Sequence, residues 1–151
     1  MTSAELKEQL SQVHPSLSFE EGAEWLQVHV EAAEWLSLAE KLVNNSELSF
    51  DFLFCVTCVD WKTHLSMVYH LRSWKHKHTV VVKSKLDREK PEIESVSHLW
   101  RTSEFHEREA YDLFGVKFLN HPDLRRLFLT EDWVGWPLRK DYEDPINMIK
   151  L

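Results

Sequence analysis

The sequence predicts an α+β domain, in which a mostly antiparallel sheet of about four strands packs with two to three helices and an extended C-terminal tail follows. Three observations predict it. Helical and strand periodicities follow one another as helix, one or two strands, helix, three strands and long helix, without the strict alternation of a parallel βαβ fold. A polar "KHKH" separates two apolar runs, as a hairpin connection does. After Gly115 the period disappears and three prolines enter.

Residues 3–13 have helical spacing, with Ser3 or Thr2 as the cap. "EWLQVHV" alternates, placing Leu26, Val28 and Val30 on one strand face. Residues 32–43 repeat apolar side chains at 32, 35, 36, 39, 42 and 43, an amphipathic helix that Asn44-Asn45 ends. "FDFLFCVTCV" is apolar on both faces and reads as a central strand. "LSMVYHLRSW" and "HTVVVKSKL" are the next two strands. Pro91 then opens a long helix over 92–114, and Gly115 supplies its left-handed cap. Beyond it lies irregular chain with one short helical turn near 122–128. The domain is expected over 1–129 and the tail over 130–151, with no internal repeat.

Composition narrows the function. A formal charge of −7 argues against a generic nucleic-acid binder, which carries a basic footprint. No apolar run reaches the roughly 20 residues that span a bilayer. "MTSAELKEQLSQV" lacks the basic start and apolar centre of a signal peptide, so a cytosolic protein is expected, one that can still sit on a membrane complex through a partner. The three glycines, Gly22, Gly115 and Gly135, are too scattered for a dinucleotide or phosphate-cradling loop.

Candidate ligands are few. Cys55 and Cys58 form "CVTC", but residues three apart on a strand point to opposite faces, and buried free thiols are expected. His76 and His78 lie among lysines that repel a cation. "HEREAYDLFG" (residues 106–115) holds a ladder of i, i+4 pairs, Glu104–Arg108–Asp112, with Leu99, Ser103, His106, Ala110 and Leu113 free to face the sheet. From spacing alone it reads as a salt-bridged solvent face. A catalytic reading would need Glu109 and Asp112 to converge as a carboxylate pair in a small free-standing enzyme, with Arg108 keeping both ionised. Beyond Gly115, Arg125-Arg126 and Arg139-Lys140 sit in irregular, tryptophan-bearing segments of the kind found at protein interfaces, unless that chain wraps the domain's own core.

"HEREAYDLFGVKFLNHPDLRRLFLTEDWVGWPLRKDY" closely resembles the signature of the 30-kDa subunit family of respiratory NADH dehydrogenase, complex I. The pattern E-R-E-x-aromatic-D-apolar-aromatic-G is met by Glu107, Arg108, Glu109, Tyr111, Asp112, Phe114 and Gly115. H-P-x-L-R-R is met by His121, Pro122, Leu124, Arg125 and Arg126. W-x-G-x-P-L-R-K-D-aromatic is met by Trp133, Gly135, Pro137, Leu138, Arg139, Lys140, Asp141 and Tyr142. "VTCVDW" and "MVYHLRS" are similar to the family's central strands, whereas Glu143-Asp144 stands in place of a proline that often follows.

The resemblance implies a non-catalytic core subunit of the peripheral arm of a proton-translocating NADH:quinone oxidoreductase. It implies no cofactor on this chain; NADH, quinone, FMN and iron–sulfur clusters would be used by other subunits. The partners implied are the large quinone-pocket subunit and neighbouring cluster-bearing subunits, at the cytoplasmic face of the inner membrane. The implied interface comprises Glu107, Arg108, Glu109, Asp112, His121, Pro122, Arg125, Arg126, Trp133, Pro137, Arg139, Lys140 and Asp141. An equivalent scaffold in a membrane-bound hydrogenase-type complex is the alternative that the signature also allows.

Overall fold

Three helices cover one face of a five-stranded sheet, and the opposite face has no covering layer among the described residues, 1–20 and 24–149 of this computed structural model. Helix α1 (Ser3–Val13) starts in a capping box: the Glu5 amide donates to the Thr2 hydroxyl while the Thr2 amide donates to the Glu5 carboxylate. Strands β1 (Ser18–Glu20) and β2 (Leu26–His29) pair antiparallel. A single 3-10 turn, Ala32–Glu34, leads into α2 (Trp35–Asn44), so the expected helix over 32–43 is divided. It ends where the Asn45 side chain accepts the amides of Glu47 and Leu48.

Strands β3 (Phe52–Asp60), β4 (Leu65–Arg72) and β5 (Thr79–Leu86) form an antiparallel meander. The sheet order is β1-β2-β5-β4-β3, with β2 parallel to β5. The sheet is therefore mixed but mostly antiparallel, and has five strands where about four were expected. β3 lies at an edge, contrary to the central position its apolarity suggested. Its inward residues Leu53, Val56 and Cys58 are buried beneath helix α3 (Ser103–Phe114), and its outward residues are apolar for a different reason, taken up below.

The core is one cluster. Leu65, Met67, Tyr69 and Leu71 of β4 and Val80, Val82 and Leu86 of β5 point inward. They meet Leu6 and Leu10 of α1 and Trp35, Leu38 and Leu42 of α2. The Trp35 indole stacks on Tyr69 at 4.2 Å and on Trp100 at 6.5 Å. A fully buried large side chain contributes about 1.5–3 kcal/mol, so truncating Trp35 would be among the costliest single changes in the core.

The expected long helix over 92–114 is replaced by three pieces. Glu92–Glu94 is strand β6, paired parallel with β7 (Lys117–Leu119); a looped turn follows; only then does α3 begin. Ile93, Val96 and Trp100 have the spacing of a helix stripe, yet Ile93 is used as a strand residue opposite Phe118. Gly115 does end α3 in the left-handed conformation (φ 75°). The helical turn expected near 122–128 is absent; only Pro122 and Asp123 form a turn.

Candidate functional site

Helix α3 buries charge. Glu107, Arg108 and Asp112 are all buried, whereas Glu109 is exposed. Hence the Glu104–Arg108–Asp112 ladder is not a solvated stripe. The Arg108 guanidinium donates to the carbonyls of Arg125 (3.2 Å) and Arg126 (2.9 Å). One Asp112 oxygen accepts the amides of Leu127, Phe128 and Leu129 at 3.1, 2.7 and 3.1 Å, and the other accepts Arg126 at 3.0 Å. These bonds take the amides of 127–129 away from any local helix, which is why none forms there. Burial alone would raise the Asp112 pKa, but the amides of Phe128 and Leu129 and the Arg126 guanidinium outweigh it and hold the carboxyl below its usual range. With its oxygens so engaged, and with Glu109 turned to solvent, Asp112 forms no carboxylate pair with Glu109.

Arg126 extends the clamp. It donates to the carbonyls of Asp112, Trp133 and Gly135, and its guanidinium lies 4.6 Å from the Trp136 ring centroid. Trp136 in turn packs on Tyr111 at 5.5 Å. The Arg139 guanidinium donates to the Phe114 carbonyl at 2.7 Å. Farther on, the Lys140 amide donates to Asp60 at 2.8 Å, while Arg88 bridges Asp60 and Asp141. Burial would raise the Asp60 pKa; the Arg88 guanidinium and the Lys140 and Lys62 amides lower it to about 2. A third clamp lies under α3. Glu107 accepts the Ser95 hydroxyl (2.6 Å) and the Val96 amide (2.9 Å), and burial pushes its pKa up to about 7. The buried His121 ring stands 3.7 Å from Glu107, accepts the Asp123 amide at Nδ1 and donates from Nε2 to the Glu104 carbonyl.

The charged residues singled out in the sequence thus divide. Arg108, Asp112, His121, Arg126 and Arg139 tie the chain beyond Gly115 to α3 from within, and Glu107 ties α3 to the loop at Ser95 and Val96. Glu109, Pro122, Arg125, Lys140 and Asp141 are exposed, with Arg125 paired to Asp123; Trp133 is exposed at the surface and Pro137 half-buried. The apolar side chains turned outward lie outside the expected interface set: Phe105, Phe128, Val134 (87% exposed), Leu138 and Ile146 (89% exposed). Between the two limbs of the tail lies a shallow hollow of about 430 Å³, lined by Thr130, Trp133, Val134, Tyr142, Pro145 and Ile146. The signal for this surface was apolar residues in a stretch without period, which a search for charged motifs passes over.

Among the described residues no group of three or more His, Cys, Asp or Glu side chains is placed to hold an ion. Cys58 pairs across the sheet with inward Met67, and Cys55 with outward His70, so the two thiols occupy opposite faces. Burial pushes the Cys58 thiol up to about 12. His76 and His78 donate to the carbonyls of Ser46 and Leu48. No helix among the described residues is long and apolar enough to cross a membrane.

The structure is a small α+β domain whose irregular tail is stitched to its last helix by buried charge. The chain belongs to the family of the respiratory-chain NADH dehydrogenase 30 Kd subunit, whose sequence profile matches residues 28–146. It is 40% identical over 137 residues to the NADH-quinone oxidoreductase C subunit of Moorella thermoacetica, covering 89% of this chain and 91% of that protein. It is 48% identical over 103 residues to the NADH-quinone oxidoreductase C/D subunit of Phocaeicola vulgatus, covering 67% of this chain but only 20% of that protein. The chain likewise spans 46% of the Chloroherpeton thalassium C subunit, at 41% identity over 72% of this chain. Among solved structures, a trypsin-resistant fragment of Nqo5 superposes with a TM-score of 0.67 at 28% identity, over 80% of this chain and 98% of that one. The fold is shared with a chain of an archaeal membrane-bound sulfane sulfur reductase (TM-score 0.79, 24% identity, 93% of this chain and 85% of that one).

Proposed function

We propose that this chain is a non-catalytic scaffold subunit in the peripheral arm of an NADH:quinone oxidoreductase, at the cytoplasmic face of the membrane. It docks on the large quinone-pocket subunit and steadies that subunit against its cluster-bearing neighbours. NADH, FMN, iron–sulfur clusters and quinone are handled by the other subunits. One observation carries this reading: Arg126 and Arg139 fix the irregular segment to α3 from within, while Val134, Leu138 and Ile146 face outward. An irregular segment with an internally fixed shape and an apolar outer side is suited to docking, because its ordering entropy is already met before the partner arrives. Relatives whose name joins C and D in one chain, of which this chain spans a fifth, support contact with the D subunit.

The test is co-expression with the large subunit and measurement of the complex by light scattering and hydrogen exchange. Val134→Asp with Leu138→Asp should abolish co-purification while leaving the isolated chain's melting temperature unchanged. A double variant that still assembles moves the docking role away from the tail.

A further inference from the structure

An antiparallel sheet open to water alternates apolar side chains inside with polar ones outside. The uncovered face of this sheet departs from that rule. The rings of Trp25, Phe54, Phe52 and Trp74 run in an unbroken line, with centroid separations of 6.1, 5.9 and 5.7 Å. His70 fills the angle between Trp25 and Phe54, at 6.0 and 5.6 Å. Burial lowers the His70 pKa, so near neutral pH its ring is a further uncharged plate. Trp74 is 59% exposed, and the Arg72 guanidinium lies 5.3 Å from its ring centroid. Beside this strip is a hollow of about 400 Å³ lined by Trp61, His29, Lys83 and Lys85.

The charge on this face runs against that of the chain. The formal net charge is −7, yet among the described residues the outward strand positions carry Arg72, Lys83 and Lys85 against one carboxylate, Glu20. Glu20 is already held by His29 at 3.2 Å and Lys83 at 3.3 Å. Three buried polar atoms on or beside this face, Gln27 Oε1, His70 Nδ1 and Arg72 Nε, have no hydrogen-bond partner among the described residues. Buried groups of this kind are ordinarily satisfied.

We propose that the uncovered sheet face is a second docking surface, and that its occupant is an acidic segment of a partner protein bearing carboxylates beside apolar side chains. Carboxylates would meet Arg72 and Lys85, and apolar side chains would cover the ring strip, which has the aromatic and arginine character of an interface centre. A packed protein segment can set carboxylates against Arg72 and Lys85 and apolar side chains against the rings at the same time; a fluid layer of anionic headgroups holds no apolar group at fixed positions beside those cations. The surface is separate from the tail, so it stands or falls independently of the docking proposed for Val134 and Leu138.

The experiment uses the assembly captured from native membranes through this chain, with Phe52 replaced by photoreactive p-benzoylphenylalanine. Irradiation is expected to join this position to one segment of another subunit in which Asp and Glu outnumber Lys and Arg. In parallel, Arg72→Glu with Lys85→Glu should lower recovery of that subunit at least about tenfold, the scale of a lost interfacial charge pair. Arg72→Lys with Lys85→Arg should retain it. The melting temperature of the isolated chain should be the same for both double variants. A cross-link to lipid, to a second copy of this chain or to a basic segment, or no cross-link at all, overturns the proposal. So does binding of the isolated chain to phosphatidylglycerol vesicles that the Glu double variant abolishes, which would assign the face to the membrane.

Discussion

Trp136 lies so close to Gly115 that a Cβ on the glycine would stand 2.5 Å from the indole Cε2. The residue that ends α3 is therefore also the seat of the tail, and two demands meet there: a positive φ of 75° and an empty side-chain position. Gly115→Ala is expected to destabilise the isolated chain by about 2–4 kcal/mol, combining left-handed strain with overpacking. Urea denaturation measures it. A loss under about 1 kcal/mol would mean that Trp136 moves aside freely and that the tail is only loosely seated.

Asp112 should be the costliest charged residue of the clamp. Asp112→Ala leaves Arg126 buried without its anion and three amides without an acceptor, a loss of about 3–5 kcal/mol. Hydrogen exchange should show the amides of Leu127, Phe128 and Leu129 losing protection before the sheet does. Arg108→Ala should act in the same direction, because its partners are backbone carbonyls of the same segment. If either change weakens assembly yet leaves isolated stability untouched, the clamp is not what shapes the tail.

Glu107 makes stability fall as pH rises. Its pKa is about 7 in the folded chain against an ordinary value of 4.5, so between those pH values the folded state holds a proton that the unfolded state has released. The difference amounts to about 3 kcal/mol, absent below pH 4.5 and fully imposed above pH 7. Glu107→Gln should match the parent below pH 4.5 and exceed it at pH 8 by about that amount. Parallel stability curves for the two chains from pH 4 to 8 would rule out the buried carboxyl as their source.

Asp60 has the opposite sign. Its folded pKa of about 2 lies below the ordinary 3.8, so its stabilising contribution is present above that ordinary value and disappears as pH falls towards 2. Acid should therefore release the Lys140 end of the tail. Asp60→Asn is expected to expose the tail around Lys140 to trypsin at neutral pH. Unchanged cleavage in that variant would show that Arg139, bonded to Phe114, holds this end unaided.

Much of this was legible in local pattern. Leu6 and Leu10, Trp35 to Leu42, and the alternation through β4 and β5 gave helices and strands where they occur, because each of these elements satisfies its own period. The failures came from partners distant in sequence. Ile93, Val96 and Trp100 imitate a helix stripe, but Phe118 recruits Ile93 into a parallel pair and Glu107 takes the Val96 amide. Arg108 has a carboxylate four residues away on either side and bonds to neither in the structure, because the tail presents carbonyls that satisfy a buried guanidinium better. β3 looked central because both its faces are apolar; the outward half belongs to the ring strip on the open side of the sheet.

The bond from Lys140 to Asp60 joins residues 80 positions apart, and it has a kinetic consequence. Closing a loop of that length carries an entropic cost that grows with its logarithm, and it yields only a latch at the end of an edge strand already paired with β4. The meander of β3, β4 and β5, joined by short connections, is expected to be in place when the folding barrier is crossed, with the latch closing afterwards. Lys140→Pro, which removes the donating amide, or changes at Asp141 or Arg88 should then leave the folding limb of a chevron plot unmoved and raise the unfolding limb. In that sense the tail governs how long each folded molecule lasts, and has little say in how soon it forms.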